Sequence, residues 1–240
     1  MKYRGAILGF FWSLLNPILT MLVYTFVFSI VMRGGIKEFA VFLICALLPF
    51  NFFSNSVNYG TTSIISNSNL VNKIYFPREL LPLSNVFTNL INFFLELIVL
   101  FIVLAVLGYK FYLYLYLLPI VIFAQIFLVA GVTLLVSALN VFFRDLQHLV
   151  TIIMMVWFFG TPIIYPMSMV PERFQSILMI NPMSVYAAYY RNIFYYVKYP
   201  EGSGFPTAIE TITALGITLV LFFIGYYVFK RLEPRFAEEI

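Results

Sequence analysis

Apolar residues fill six long stretches of the chain, at about 10–32, 39–65, 83–108, 117–139, 149–164 and 208–229, and polar residues gather between them. Long continuous apolar runs read as membrane-spanning helices, whereas the strands of a membrane barrel would alternate in segments of about ten residues. The pattern predicts an all-α integral membrane protein, with six transmembrane helices forming a single domain over 1–240. Lys2 and Arg4 precede the first stretch, which is longer than the h-region of a signal peptide, roughly 7–15 residues, so it reads as a retained span.

Two segments depart from this pattern. Residues 66–82 crowd Asn67, Asn69, Asn72, Lys73, Arg78 and Glu79 between two spans, a density of polar groups that hydrocarbon excludes. Leu70 and Ile74, ahead of Pro77, predict a short helix outside the membrane, long enough to dock on a partner and too short to be a domain. The plain alternative is a solvated loop. Residues 166–200 are neither a clear span nor a polar loop. Pro171 and Glu172 suit a helix start, with Phe174, Ile177 and Leu178 on one edge. Asn181 and Pro182 suit a second cap and first turn, opening a helix to about Tyr196 that carries Tyr186, Tyr189, Tyr190 and Arg191. Two short helices predict an interfacial or re-entrant hairpin between the fifth and sixth spans, one broken span being the alternative. A hairpin dipping into the membrane would cap a cavity, because nonhelical backbone at that depth must be buried in protein or face water.

Three spans also carry polar residues at helical spacing. Ser13, Asn16, Thr20 and Tyr24 share a face of the first, Asn51, Asn55, Asn58 and Thr62 a face of the second, and Asn85, Thr88 or Asn89, Asn92 and Glu96 a face of the third. In lipid such stripes turn inward, to bond one another across helices or to line a wet path. Glu96, ionisable inside a span, marks either a functional site or a protonated structural acid. Tyr24, Tyr59 and Trp157 join the path candidates, since flat aromatic faces let sugars and lipid chains slide. After the fourth span, Arg144 and Asp145 are neighbours whose side chains diverge, each toward a different partner.

Composition narrows the class. With 62% hydrophobic and 10% charged residues against roughly 25% charged in soluble domains, the chain is not an ordinary soluble protein. A net charge of +4 does not imply nucleic acid, because the basic residues are scattered and form no arginine-rich run. They set topology instead. With both termini inside, Lys2, Arg4, Lys73, Arg78, Arg144, Lys230, Arg231 and Arg235 are cytoplasmic and outnumber Arg33, Lys37, Lys110, Arg173, Arg191 and Lys198. Cys45 is the single cysteine, which excludes a disulfide within the chain and a cysteine metal cluster. No G-x-x-x-x-G-K-[ST] loop occurs, so any ATP-driven motor must be another chain. An intramembrane enzyme acting on lipid-linked sugars would need clustered acids, a metal or an activated nucleophile. Asp145, His148 and Cys45 stand apart, leaving only Glu96 and Glu210 near the membrane, and no catalytic, cofactor or metal-ligating residue is expected.

The segments Tyr3-Arg4-Gly5, Leu8 to Pro17 (LGFFWSLLNP), Phe76 to Pro82 (FPRELLP), Asn140 to Asp145 (NVFFRD), Thr161 to Pro166 (TPIIYP) and Asn181-Pro182 follow in an order that resembles type-2 ABC exporter permeases moving O-antigen, capsule or teichoic-acid polymers. The resemblance implies a homodimer in the cytoplasmic (inner) membrane, paired with two separate ATP-binding subunits that hold ATP and Mg. An undecaprenyl-linked polysaccharide would pass outward between the two copies. By the same resemblance, Asn69, Leu70, Lys73, Ile74, Phe76, Arg78 and Glu79 belong to a coupling helix seated in an ATPase groove, and Arg144 and Asp145 to a cytoplasmic loop. Pro171, Phe174, Pro182, Tyr186 and Tyr190 would belong to an external gate. Exporters of drugs or small lipids share the permease class and are the alternative. One departure is that almost nothing precedes Tyr3, where family members carry an amphipathic interfacial helix, so a truncated or misassigned start is expected.

Overall fold

The computed structural model describes residues 36–73, 76–200 and 204–239, together with Leu19, Val23 and Phe26. The rest of the expected first span at 10–32, with Ser13, Asn16, Thr20 and Tyr24, the motifs from Tyr3 to Pro17, and Ile74 of the docking segment lie outside the described residues.

Among the described residues the secondary structure is helical, with no strand. The helices are α1 (Phe39–Thr61), α2 (Ser68–Lys73), α3 (Leu80–Val106), α4 (Leu118–Phe142), α5 (Leu146–Phe159), α6 (Glu172–Ile180), α7 (Pro182–Phe194), α8 (Ala208–Leu232) and α9 (Phe236–Glu239). Four segments are long and apolar enough to cross a membrane: Phe39–Thr61, Leu80–Val106, Phe111–Phe142 and Ala208–Arg235. The chain is therefore a multi-pass membrane protein.

Helix α1 is apolar on nearly every side and forms the centre, with α3, α4, α5 and α7 packed around it. Pro49 removes one amide donor from its interior. Beside that proline, Gln125 of α4 gives its Nε2 proton to the Pro49 carbonyl at 2.7 Å and accepts the Tyr190 hydroxyl of α7 at 2.8 Å, joining three helices. Helices α4 and α8 form the most extensive pair. Their backbones meet at Gly131 and Gly225, where a Cβ added to Gly225 would lie 2.0 Å from the Gly131 carbonyl oxygen. Small residues permit this approach, which dispersion and packing reward when no hydrophobic effect separates helices from lipid.

The fifth apolar stretch, expected at 149–164, is helical only over Leu146–Phe159. Fourteen residues rise about 21 Å, short of a hydrocarbon core of about 30 Å. Gly160 closes the helix and Pro162 cannot continue it, which leaves main-chain carbonyls without helical donors. Arg191 supplies them. Its guanidinium donates to the carbonyls of Pro162 and Ile163 and, at 3.5 Å, of Tyr165, while Nε reaches Phe42 O at 3.3 Å and the cation sits 3.7 Å from the Phe42 ring. Asn181 caps α7 by accepting from Met183 N at 3.0 Å, with Pro182 in the first turn, in agreement with its sequence. Helix α8 opens with a capping box between Thr207 and Glu210, which gives Glu210 a structural task.

Candidate docking segment and membrane pathway

After α1 ends at Thr61, the chain makes a 3-10 turn over Ile65–Asn67 and enters α2. Six residues do not hold a helix in water, so α2 depends on what it rests upon. Val71 and Ile64 are buried with Leu134, Ala138, Val141, Phe229 and Phe236, an apolar pad contributed by α4, α8 and α9. Phe236 is fully buried and meets Phe229 edge-on at 5.4 Å between ring centroids. Opposite the pad, Asn69, Leu70, Asn72 and Lys73 are exposed. Phe76 is half-buried and Pro77 exposed beyond them.

Arg78 and Glu79 face the other way, into their own chain. Lys230 Nζ donates to Glu79 Oε1 at 2.7 Å and to Glu233 Oε2 at 3.1 Å. The Arg78 amide donates to Glu233 Oε1 at 3.2 Å, and its guanidinium to the Glu233 carbonyl at 2.5 Å. Burial opposes the charged form of Glu79, yet the Lys230 bond and charge prevail and hold its pKa below the ordinary value. Its second oxygen, Oε2, is buried with no hydrogen-bond partner among the described residues. A cavity of about 710 Å³ lies alongside, lined by Val71, Lys73, Phe76, Arg78, Glu79 and Lys230 among others. Arg144 and Asp145 are exposed at the same end, where Arg144 Nη2 donates to Glu239 O at 3.5 Å.

At the opposite end, Glu38 gathers the start of α1, the turn after α3 and the chain beyond α7. It accepts from Tyr109 Oη at 2.5 Å, Lys198 Nζ at 2.9 Å and Tyr199 Oη at 3.0 Å. Lys198 also donates to Leu107 O at 2.9 Å and lies 4.6 Å from the Tyr109 ring centre. Burial again opposes the charge on Glu38, and these donors outweigh it, leaving its pKa lowered; the Glu38 bond raises that of Lys198.

Along the membrane depth, α1 is buried apart from a polar stripe. Asn51 and Asn58 are half-buried on it, Asn55 and Tyr59 exposed. Asn58 bonds back to Ser54 O at 2.8 Å, and Thr151 of α5 approaches Asn58 Oδ1 at 3.5 Å. On α3, Asn85 and Asn89 bond back to the carbonyls of Leu81 and Asn85, and Asn92 and Glu96 are half-buried. The amides of Asn58, Asn85 and Asn89 thus bond one turn back on their own helix, and Asn58 also meets α5 through Thr151. Trp157 sets its ring edge-on to Phe53 at 5.0 Å and donates to Asn181 Oδ1 at 2.8 Å, tying the end of α5 to the cap of α7.

The two short helices of residues 166–200 are unlike. Pro171 and Phe174 of the α6 half are exposed. Pro182, Tyr186 and Tyr190 of α7 are buried, with the Tyr186 hydroxyl 2.6 Å from Thr218 Oγ1 of α8. The roles of Arg191, Glu38, Glu233 and Phe236 had no counterpart in the sequence reading, because their partners lie far away in the chain and leave no periodic trace.

A profile of the ABC-2 type transporter family matches residues 1–195. The chain is 37% identical over 242 residues to the O-antigen export system permease protein RfbA of Myxococcus xanthus, covering 100% of this chain and 90% of that protein. It is 34% identical over 238 residues to an O-antigen export system permease protein RfbA of Klebsiella pneumoniae, covering 99% and 89%. Against the polysialic acid transport protein KpsM of Escherichia coli it is 24% identical over 189 residues, 76% and 70% of the two chains. Four described membrane-crossing helices, a family profile spanning most of the sequence and relatives aligned from end to end place this chain in the ABC-2 type transporter family.

Proposed function

We propose that the chain is the permease subunit of an ATP-driven exporter that moves a lipid-linked polysaccharide out across the cytoplasmic membrane. The observation that carries this reading is the alignment, over the whole chain, with two permeases named for O-antigen export. The docking end supports it: a helix too short to stand alone is braced on a buried pad and offers Asn69, Leu70 and Lys73 outward, as a seat for a partner requires. That partner is an ATPase subunit, which holds ATP and Mg.

In this reading two copies of the chain pair in the membrane, each with its own ATPase, and both termini are cytoplasmic. Six spans include the stretch at 10–32 and α5, completed by the nonhelical residues after it. The α6–α7 hairpin re-enters from outside as the external gate, and the stripe of Asn51, Asn55, Asn58 and Tyr59, with Asn92, Glu96 and Tyr24, borders the path of an undecaprenyl-linked polymer. Trp157 supports that path from behind through Asn181. Purification of the chain from its native membrane in mild detergent tests the reading. A stoichiometric ATPase with lipid-linked glycan in the extract is expected. A chain that arrives without an ATPase, even after mild crosslinking, overturns it, and an ATPase with no glycan turns the assignment toward a small-lipid or drug cargo.

A further inference from the structure

We propose that Arg78 and Glu79 transmit rather than touch: they fasten the docking segment to the end of the last span through Lys230 and Glu233, so that a displacement of α2 is delivered to α8. The inference rests on the reading of α2 as an ATPase seat and adds the route by which that seat acts. Three hydrogen bonds join residues 151 and 155 positions apart, and they turn Arg78 and Glu79 toward their own chain while α2 keeps its other face outward. Lys230 is the hub, since it bonds both carboxylates.

What α8 does with a push follows from its packing. Its backbone touches α4 at Gly225, five residues before Lys230, where no side chain separates the two helices. That crossing is a pivot close to the pushed end. On the far side of it, Thr218 meets the Tyr186 hydroxyl of α7 at 2.6 Å, and Thr211 meets that of Tyr189 at 2.9 Å. Thr218 is twelve residues from Lys230, about 18 Å along the helix. The route therefore runs from the docking segment through Glu79 and Lys230, along α8, to the α7 half of the hairpin, and from Glu79 onward each step is a named contact. The cavity of about 710 Å³ beside Glu79, and the buried Oε2 that lacks a partner among the described residues, leave the joint room to shift and a spare acceptor to shift toward. Contiguity alone does not prove coupling, so the test must measure it.

The test compares Glu79→Gln, Lys230→Met, the double variant and Lys230→Arg, all in the full chain with its ATPase. Three quantities are read: ATPase retained on purification, ATP hydrolysed by the complex, and polymer exported. Each neutral single variant is expected to keep the ATPase and its hydrolysis while export falls roughly tenfold, within the usual span of coupling energies. The double variant is expected to fall no further than either single, as two ends of one contact require, and Lys230→Arg to restore most of the export. A merely structural role would lower the amount of complex and leave export per complex unchanged, which overturns the proposal. So would loss of the ATPase in Glu79→Gln but not in Lys230→Met, because Glu79 would then be the contact itself. If the unaltered chain retains no ATPase, the docking reading has failed, and this inference falls with it.

Discussion

The two ends of the bundle each carry a carboxylate held by a lysine, and they are built for different tasks. At the Glu38 end both carboxylate oxygens are taken, by two tyrosine hydroxyls and an ammonium, and aromatic rings flank the lysine. Glu38 is also the one non-glycine among the described residues with a positive φ, at φ 46° and ψ 51°. A left-handed residue costs roughly 1–2 kcal/mol and persists only where its surroundings over-determine it. At the Glu79 end one oxygen has no partner among the described residues, the lysine is shared between two acids, and a cavity adjoins. The first arrangement is a clamp and the second a joint. A clamp suits the end where α7 must stay seated, and a joint suits the end where, in the proposed function, an ATPase subunit pushes.

The hardest blow to the clamped half is Arg191→Met. It strips donors from the carbonyls of Pro162 and Ile163, which lie past the helix end, and each buried carbonyl left bare costs about 1–3 kcal/mol, while Phe42 O keeps its place in α1. The expected loss is at least about 2 kcal/mol, seen as a chain that fails to accumulate in the membrane or melts early in detergent. Arg191→Lys keeps the charge but not the planar fork, and should fall between. Survival of Arg191→Met at normal abundance would mean that the Arg191 bonds are not what seats α7.

Next in size is Gly225→Leu at the pivot. A side chain there collides with the Gly131 backbone, which cannot move aside as a rotamer could, and overpacking of this kind costs about 1–3 kcal/mol. Export should be lost in the fraction that still assembles with its ATPase, since separating α4 from α8 removes the fulcrum without touching the docking face. The check is export per purified complex. Undiminished export would disconnect the two ends.

Glu38→Gln should cost less, about 1 kcal/mol, because the cluster is partly exposed and an amide can still accept two of its three bonds. Its mark is local. Hydrogen exchange should quicken at 195–199 and 107–110 and stay unchanged at 68–79. Equal quickening at both ends would contradict the division into clamp and joint.

How much of this was legible follows from the range of each interaction. Asn181-Pro182 announced α7 because a cap and a first-turn proline act on their own neighbours, and the same holds for Pro171 and Glu172 at α6. The apolar runs announced the four described segments long enough to cross a membrane because lipid demands length and hydropathy of each helix separately. The asparagine stripes were visible as periodicity, but not that Asn58, Asn85 and Asn89 bond one turn back, since a stripe looks the same whichever way its amides turn. The TPIIYP break was visible and its remedy was not. Arg191 read as one more charge in the topology sum, and only the fold shows its guanidinium among the carbonyls that Gly160 and Pro162 released. Lys230 read as a positive flank for the same reason, its contact with Glu79 lying 151 residues away.

Acid should produce the smallest effect and separate the ends most finely. Both Glu38 and Glu79 have folded-state pKa values below the ordinary one. Each therefore adds stability that is complete above the ordinary carboxylate range, about 4–4.5, and is lost as pH falls through the lowered value. Lys198 has the opposite sign: its pKa is raised, so its contribution is complete below the ordinary lysine value and is lost only as pH rises through the raised one. Neither end should loosen near neutrality. Once Glu38 is protonated, the Tyr109 and Tyr199 hydroxyls can still donate to its oxygens, whereas Glu79 loses the charge that its bond from the Lys230 ammonium, shared with Glu233, depends on. Hydrogen exchange followed downward from pH 7 should thus rise first at 76–81 and later at 195–199. The reverse order would show that the tyrosines add nothing to the clamp, and that its rigidity rests on the Glu38–Lys198 pair alone.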